Sequence, residues 1–150
     1  MSAERGLARW VPPVAWAGVI FAASSGWFAG PRTEAVIVPL LAWIFPHADP
    51  PTLAAVHALL RKLGHFTEYA ILGLLIARAL RDERGWQLHH ALMAVALAAS
   101  YAVTDEVHQH FVPGRTAALG DVAIDALGAV SGQVALFVSW KRGRLTRAAS

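Results

Sequence analysis

Long stretches without any charged residue are separated by short charged clusters in this chain. No formal charge occurs from Trp10 to Pro31 or from Trp86 to Thr104. A helix needs about 20 mostly apolar residues to cross the hydrocarbon core of a bilayer. Both stretches are long enough, so the sequence predicts an all-α, polytopic integral membrane protein.

The composition supports this prediction. Only 15% of the residues are charged and 56% are hydrophobic, whereas a soluble domain has roughly 25% charged residues. A soluble domain of this size with so few charged residues would not have enough polar groups to cover its surface. The net charge of +3 is too small an excess to indicate nucleic-acid binding. The absence of cysteine excludes a disulfide framework and thiolate metal sites.

We predict a single transmembrane domain over residues 1–150 with four spans, at residues 10–31, 64–80, 86–104 and 122–140. The first stretch also has features of a signal peptide. Its apolar run continues through Trp27 and Phe28, which favours an uncleaved anchor.

The segment between the first two spans is harder to assign. Ala35 to Phe45 is apolar but short and contains Pro39, so we predict a short interfacial or re-entrant helix. Asp49-Pro50-Pro51-Thr52 is a helix-start signal, and the helix that it opens could continue unbroken into the second span.

The distribution of Lys and Arg predicts the orientation. With four spans, the N-terminal tail, the loop between the second and third spans and the C-terminal tail lie on one side. These segments hold nine Lys and Arg residues, against four on the other side. Cytoplasmic loops carry the excess of basic residues. We therefore predict a multi-pass protein of the cell (plasma) membrane with both termini in the cytoplasm.

Three polar clusters fall on the non-cytoplasmic side, at the start of the second span, after the third span and at the entry of the fourth. They comprise His65, Glu68 and Tyr69; Asp105, Glu106, His108, Gln109, His110 and Arg115; and Asp121 and Asp125. Ionisable groups at membrane depth are costly and normally face partners or a water-filled cavity. We predict that these residues form one site, apart from Asp105, His108 and His110; the two histidines are more consistent with the membrane interface. The alternative is that each residue caps a helix or snorkels to the interface.

The residue types suggest roles within this site. Glu106, His65 and Glu68 are candidate catalytic acids or bases. The candidate substrate-binding residues are Arg115, Gln109, Tyr69, Asp121 and Asp125, with the arginine fork suited to a phosphate or carboxylate. No helical His pair with a glutamate occurs, so we predict neither a metal nor a cofactor. Gly128 and Gly132 form a small-xxx-small pair that predicts close helix packing.

Several of these segments resemble the VanZ-like membrane proteins. The resemblance is carried by Ser24-Ser25, His65-Phe66-x-Glu68-Tyr69, Thr104-Asp105-Glu106-x-x-Gln109-x-Phe111-Val112-Pro113-Gly114-Arg115 and Asp121-x-x-x-Asp125-x-x-Gly128-x-x-x-Gly132. One departure is Asp125, where many relatives have asparagine. The resemblance implies this helical fold, this site and a link with teicoplanin resistance, but not a reaction.

Two functions remain open. The site could belong to an enzyme that processes an anionic envelope lipid or lipid-linked precursor. It could instead belong to a non-catalytic binding, transport or proton-relay protein. In both cases the expected partners are membrane lipids, an anionic lipid-linked precursor among them, and no nucleic acid.

Overall fold

The computed structural model describes residues 6–25, 30–81, 85–113 and 118–148. No strand occurs in these residues, and their main helices are α1 (Val11–Ser24), α2 (Gly30–Ile44), α3 (Pro50–Leu80), α4 (Leu88–His110) and α5 (Leu119–Ala148). The all-α prediction is confirmed.

Local signals explain where α3 begins. Asp49 is its N-cap, and the Asp49 side chain accepts a hydrogen bond of 3.1 Å from the backbone N–H of Thr52. The hydrogen bonds from Thr52 lower the pKa of the exposed Asp49 carboxyl. Prolines in the first turn cost nothing, because those positions have no intrahelical acceptor for an N–H. The predicted helix start is confirmed.

The helix ends differ from the predicted spans in the first half of the chain. α1 ends at Ser24 rather than Pro31, and Gly30 already belongs to α2. α2 contains Pro39 and is 15 residues long. α3 has 31 residues, about 46 Å of helix. Because α3 is a single helix from Pro50 to Leu80, it runs without a break from the helix-start signal through the predicted second span.

The last two helices are longer than predicted. α4 continues beyond Thr104 to His110. The polar residues that directly follow the predicted third span are therefore helical. α5 extends past the predicted range of residues 122–140 at both ends. Polar residues do not stop these helices, because a helix satisfies its backbone hydrogen bonds internally whatever its side chains are.

The core consists mainly of small side chains. α3, α4 and α5 pack against one another, α1 packs against α3 and α4, and α2 packs against α3. Ala94, Ala98, Ala102 and Ala129 are fully buried, while large apolar side chains such as Leu92 on α4 face outward. Small residues inside and large apolar residues outside are typical of helices that pack within lipid.

Glycines allow α3 and α5 to approach closely. A Cβ on Gly128 would collide with the carbonyl oxygen of Phe66, and one on Gly132 would lie 2.8 Å from the carbonyl oxygen of Ala70. On the opposing helix, a Cβ on Gly73 would lie 3.1 Å from the Cα of Ala129. The predicted packing role of Gly128 and Gly132 is confirmed.

Three helical segments are long and apolar enough to cross a membrane, namely Gly6–Ser24, Pro50–Leu80 and Leu119–Gly143. α4 is not one of them, although the sequence predicts a span there. His89 and His90 in its first turn and the acidic residues near its end lower its hydropathy. The predicted count of four spans is therefore not confirmed by length and composition.

Candidate polar site

A buried hydrogen-bonded group joins the end of α1 to the end of α4. The Ser24 hydroxyl donates to Asp105 Oδ2 at 2.7 Å, and the Gln109 amide donates to the same oxygen at 2.8 Å. The Gln109 amide also lies 3.4 Å from Ser24 Oγ. All three residues are buried. Asp105 and Gln109 are four residues apart and therefore share one face of α4.

A second pair joins α3 to α5. His65 Nδ1 lies 3.6 Å from Asp125 Oδ1, and Asp125 is only 1% exposed. Gly128 lies three residues after Asp125 and contacts the backbone of Phe66, the neighbour of His65. The close contact of the two helices therefore brings the carboxyl beside the imidazole.

Glu106 connects α4 to the start of α5. Its Oε1 accepts a hydrogen bond from the backbone N–H of Ala118, the residue before α5 begins. The first N–H groups of a helix lack intrahelical acceptors, and a carboxylate there offsets the helix dipole. Asp121 lies in the first turn of the same helix. Glu106 thus has a structural role, whether or not it is catalytic.

Tyr69 lies between these groups. Its side chain is fully buried, and its ring centroid is 6.3 Å from that of Tyr101. The Tyr101 hydroxyl donates to the carbonyl of Ala17 at 2.6 Å, which ties α4 to α1. At the neighbouring position, the carbonyl of Glu68 accepts a hydrogen bond of 2.9 Å from the Trp16 indole. These bonds hold α1 against the site.

The site is rich in acidic groups. Asp125 interacts electrostatically with four other carboxyl groups, those of Asp105, Asp121, Glu106 and Glu68. The Tyr69 hydroxyl interacts with Asp105 and Asp125. Three buried oxygens of this group have no hydrogen-bond partner among the described residues: Tyr69 Oη, Asp105 Oδ1 and Asp125 Oδ1. Such atoms are costly to bury, typically about 1–3 kcal/mol each.

We call this group the polar site and define it by Ser24, His65, Glu68, Tyr69, Asp105, Glu106, Gln109, Asp121 and Asp125. Its groups could exchange protons, or the Asp105 carboxylate could activate the Ser24 hydroxyl as a base. In the part of the chain that the structure describes, no three His, Cys, Asp or Glu residues lie close enough to hold a metal ion.

The polar site includes every predicted site residue except Arg115, which lies outside the described residues. The prediction of site roles missed Asp105, which holds the hydrogen bonds of Ser24 and Gln109. The spacing of Asp105 and Gln109 was the signal that could have identified it. Two nearby histidines are not part of the network: His108 stacks on Phe21 with ring centroids 4.4 Å apart, and His110 is exposed.

The apolar helices and the buried polar site together define a helical membrane protein. The family to which the chain belongs is VanZ/LLP1, whose model matches residues 10–140. This match confirms the resemblance found in the sequence. No curated protein and no solved structure is detectably similar to the chain.

Proposed function

We propose that the protein is a multi-pass protein of the cell membrane with four spans, formed by α1, α3, α4 and α5, and with both termini in the cytoplasm. The packing supports α4 as the fourth span. His90 near its start and Asp105 near its end are 15 residues apart, about 22 Å along a helix. α4 packs along both α3 and α5. If these two helices cross the membrane, α4 crosses with them.

In this arrangement α2 is the interfacial or re-entrant helix. Its 15 residues correspond to about 22 Å, less than the hydrocarbon thickness of about 30 Å. α2 packs on the first half of α3, where Thr33 Oγ1 lies 3.3 Å from His57 Nε2. Val36 and Trp43 are 70% and 80% exposed. Such side chains suit the boundary between headgroups and acyl chains.

Single cysteines test the orientation, because the native sequence has none. Ala117→Cys and Ser150→Cys lie outside the described residues, before α5 and at the end of the chain. We expect a membrane-impermeant thiol reagent to label the first variant on intact cells and to spare the second. Both should be labelled after the cells are permeabilised. The reverse pattern on intact cells would reject the orientation.

We propose further that the polar site binds or processes an anionic envelope lipid or lipid-linked precursor on the non-cytoplasmic side. The observation that supports this function is the convergence of ionisable groups from three helices, α3, α4 and α5, on one cluster around the buried Asp105 and Asp125. Membrane helices rarely carry such groups without a functional reason. Family membership supports the link to teicoplanin resistance.

The roles follow from the chemistry of the groups. Arg115 supplies the fork of donors for a phosphate or carboxylate. His65 and Glu68 are the candidate acid and base on α3, and Glu106 is the candidate on α4. Tyr69, Gln109, Asp121 and Asp125 contact the substrate. The Glu106 carboxylate also holds the start of α5, so its substitution must keep a hydrogen-bond acceptor.

The test compares conservative variants at matched expression. Arg115→Lys keeps the charge but loses the fork, and Glu106→Gln keeps an acceptor for the Ala118 N–H but loses the charge. Both should abolish most of the teicoplanin phenotype in a suitable host. Arg61→Lys and Asp49→Asn make the same chemical changes outside the polar site and should leave the phenotype intact. Full function in Arg115→Lys and Glu106→Gln would reject the site.

A second candidate function is a proton relay. It is favoured by the excess of carboxyl groups and by the three buried oxygens of the polar site that have no hydrogen-bond partner among the described residues. A proton held on one of the carboxyls would supply a missing donor, and its transfer between Asp105 and Asp125 would move charge across the site.

The two functions differ in a liposome assay. A relay should acidify liposomes that contain a trapped pH dye when a potassium diffusion potential drives proton entry. Asp105→Asn should reduce this rate at least about tenfold, while Asp49→Asn should not change it. Equal rates for the wild-type protein and for empty liposomes would reject the relay and leave lipid binding.

A further inference from the structure

A cavity lies at the other end of α3, α4 and α5, away from the polar site. Its volume is about 60 Å³, and its wall includes Arg81, Trp86, His90, Gln133 and Trp140. His90 lies 15 residues before Asp105, and Trp140 lies 15 residues after Asp125. The cavity is therefore about 22 Å from the polar site along both helices.

Three residues in the wall carry buried polar atoms without a hydrogen-bond partner among the described residues. These atoms are Trp86 Nε1, His90 Nδ1 and Gln133 Oε1. Gln133 is only 6% exposed, and its amide nitrogen donates to the carbonyl of Gly73 at 2.9 Å. Its oxygen is thus fixed as an acceptor in need of a donor. The Trp86 indole is a donor only and needs an acceptor.

The surroundings of the cavity are basic and aromatic. Arg81 is exposed, and the Arg9 guanidinium donates to the carbonyl of Arg81 at 3.4 Å. Lys141 follows Trp140 on α5 and is exposed. The described residues of this end carry no carboxylate. Asp82, Glu83 and Arg84 lie outside the described residues and are not part of the proposed site.

Aromatic rings hold the wall in place. The Trp86 ring packs against Phe137 with centroids 4.8 Å apart and against Trp140 at 6.2 Å. Gly85 has a φ of +86°, and a Cβ there would lie 2.8 Å from Trp140 Nε1. Glycine is therefore required at this turn, because of the positive φ and because a side chain would collide with Trp140. Tryptophan side chains with basic neighbours are typical of the level of lipid headgroups.

We infer that this cavity, which we call the headgroup cavity, binds the phosphate-bearing headgroup of an anionic phospholipid. One water needs at least about 10–15 Å³ of such volume, so the cavity has room for a small polyatomic group such as a phosphate. The phosphate would accept from the Trp86 indole and from Arg81. A headgroup hydroxyl would donate to Gln133 Oε1. Phosphatidylglycerol has both the phosphate and the hydroxyls.

The experiment measures the melting temperature of the full chain in mild detergent with added phosphatidylglycerol, phosphatidylcholine or inorganic phosphate. Phosphatidylglycerol near 100 times its dissociation constant should raise the melting temperature by about 5–10 °C. Phosphatidylcholine and inorganic phosphate should raise it far less. No preference for phosphatidylglycerol over phosphatidylcholine would mean that only water fills the cavity, and would overturn the inference. An equal rise with inorganic phosphate would overturn the lipid as its occupant.

Two variants and one control test whether the rise in melting temperature comes from binding in the headgroup cavity. Trp86→Phe keeps an aromatic side chain in the wall but loses the N–H, and Arg81→Gln loses the cation. Each should reduce the shift at least threefold. Trp86→Phe also loses part of the indole that packs on Phe137 and Trp140, so its shift is measured from its own melting temperature without lipid. Arg78→Gln makes the same charge change on the exposed surface of α3, outside the wall. A full shift in both cavity variants, or an equal loss in Arg78→Gln, would overturn the site.

Discussion

The polar site and the headgroup cavity lie at opposite ends of α3, α4 and α5, and they differ in the buried atoms that lack hydrogen-bond partners. In the polar site three of these atoms are oxygens, one of a phenol and two of carboxyl groups. In the cavity they are an indole nitrogen, an imidazole nitrogen and an amide oxygen. The polar site therefore needs donors or protons, whereas the cavity can donate to an anion and also accept from a hydroxyl.

The two regions also differ in where their charges lie. The carboxyls Asp105 and Asp125 are buried and close enough to interact. The cations Arg9 and Arg81 are exposed, and the Arg9 guanidinium donates to the backbone carbonyl of Arg81. Buried charges depend on specific partners, while exposed ones do not. Substitutions in the polar site should therefore affect stability more than charge changes near the cavity.

The largest expected effect is on the helix contact that supports the polar site. Gly128→Leu would force α3 and α5 apart, because even a Cβ collides with the carbonyl of Phe66. We expect a loss of at least about 3 kcal/mol in the free energy of unfolding, measured by denaturant titration in detergent. Gly64→Leu is the control, since a Cβ at Gly64 meets nothing within 4 Å. Wild-type stability in Gly128→Leu would show that the helices are not in backbone contact.

A smaller effect separates a buried serine from an exposed one. Ser24→Ala removes the donor to Asp105 Oδ2 and should cost about 1–2 kcal/mol of unfolding free energy. Ser100→Ala removes a hydroxyl that bonds only the carbonyl of Ala96 on its own exposed helix surface. That change should stay within about 0.5 kcal/mol. The same denaturant titration compares them, and equal losses would mean that the Ser24–Asp105 bond does not stabilise the fold.

The sequence was sufficient to predict the helical class and most of the polar site, since both depend on local patterns. Uncharged stretches of about 20 residues indicate helices that cross a lipid bilayer. Polar residues three or four positions apart lie on one face of a helix. His65 and Tyr69 were predicted in this way, as was the packing of Gly128.

The remaining features depend on contacts between distant segments. The bond between Ser24 and Asp105 joins residues 81 positions apart. Glu106 becomes a helix-end acceptor only because Ala118 comes back to it. The headgroup cavity was missed because Trp86, His90 and Gln133 have no common spacing. The predicted third span is shorter than α4, because a polar residue ends an apolar run but does not end a helix: α4 continues through Asp105 to His110.

The smallest expected effect concerns Asp125. Its carboxyl is buried, but the 3.6 Å between Asp125 Oδ1 and His65 Nδ1 is longer than a hydrogen bond, and Oδ1 accepts none from the described residues. An asparagine amide at this position could donate to the neutral imidazole nitrogen. Asp125→Asn should therefore change the free energy of unfolding by less than about 1 kcal/mol, with wild-type accumulation in the membrane.

Asp105→Asn is the matched comparison for Asp125→Asn. Asp105 Oδ2 already accepts two hydrogen bonds, so the new amide group would replace Oδ1 and lack an acceptor among the described residues. It should cost about 1–3 kcal/mol. Loss of membrane accumulation in Asp125→Asn, with Asp105→Asn unaffected, would mean that the His65–Asp125 pair is charged and that the fold depends on it.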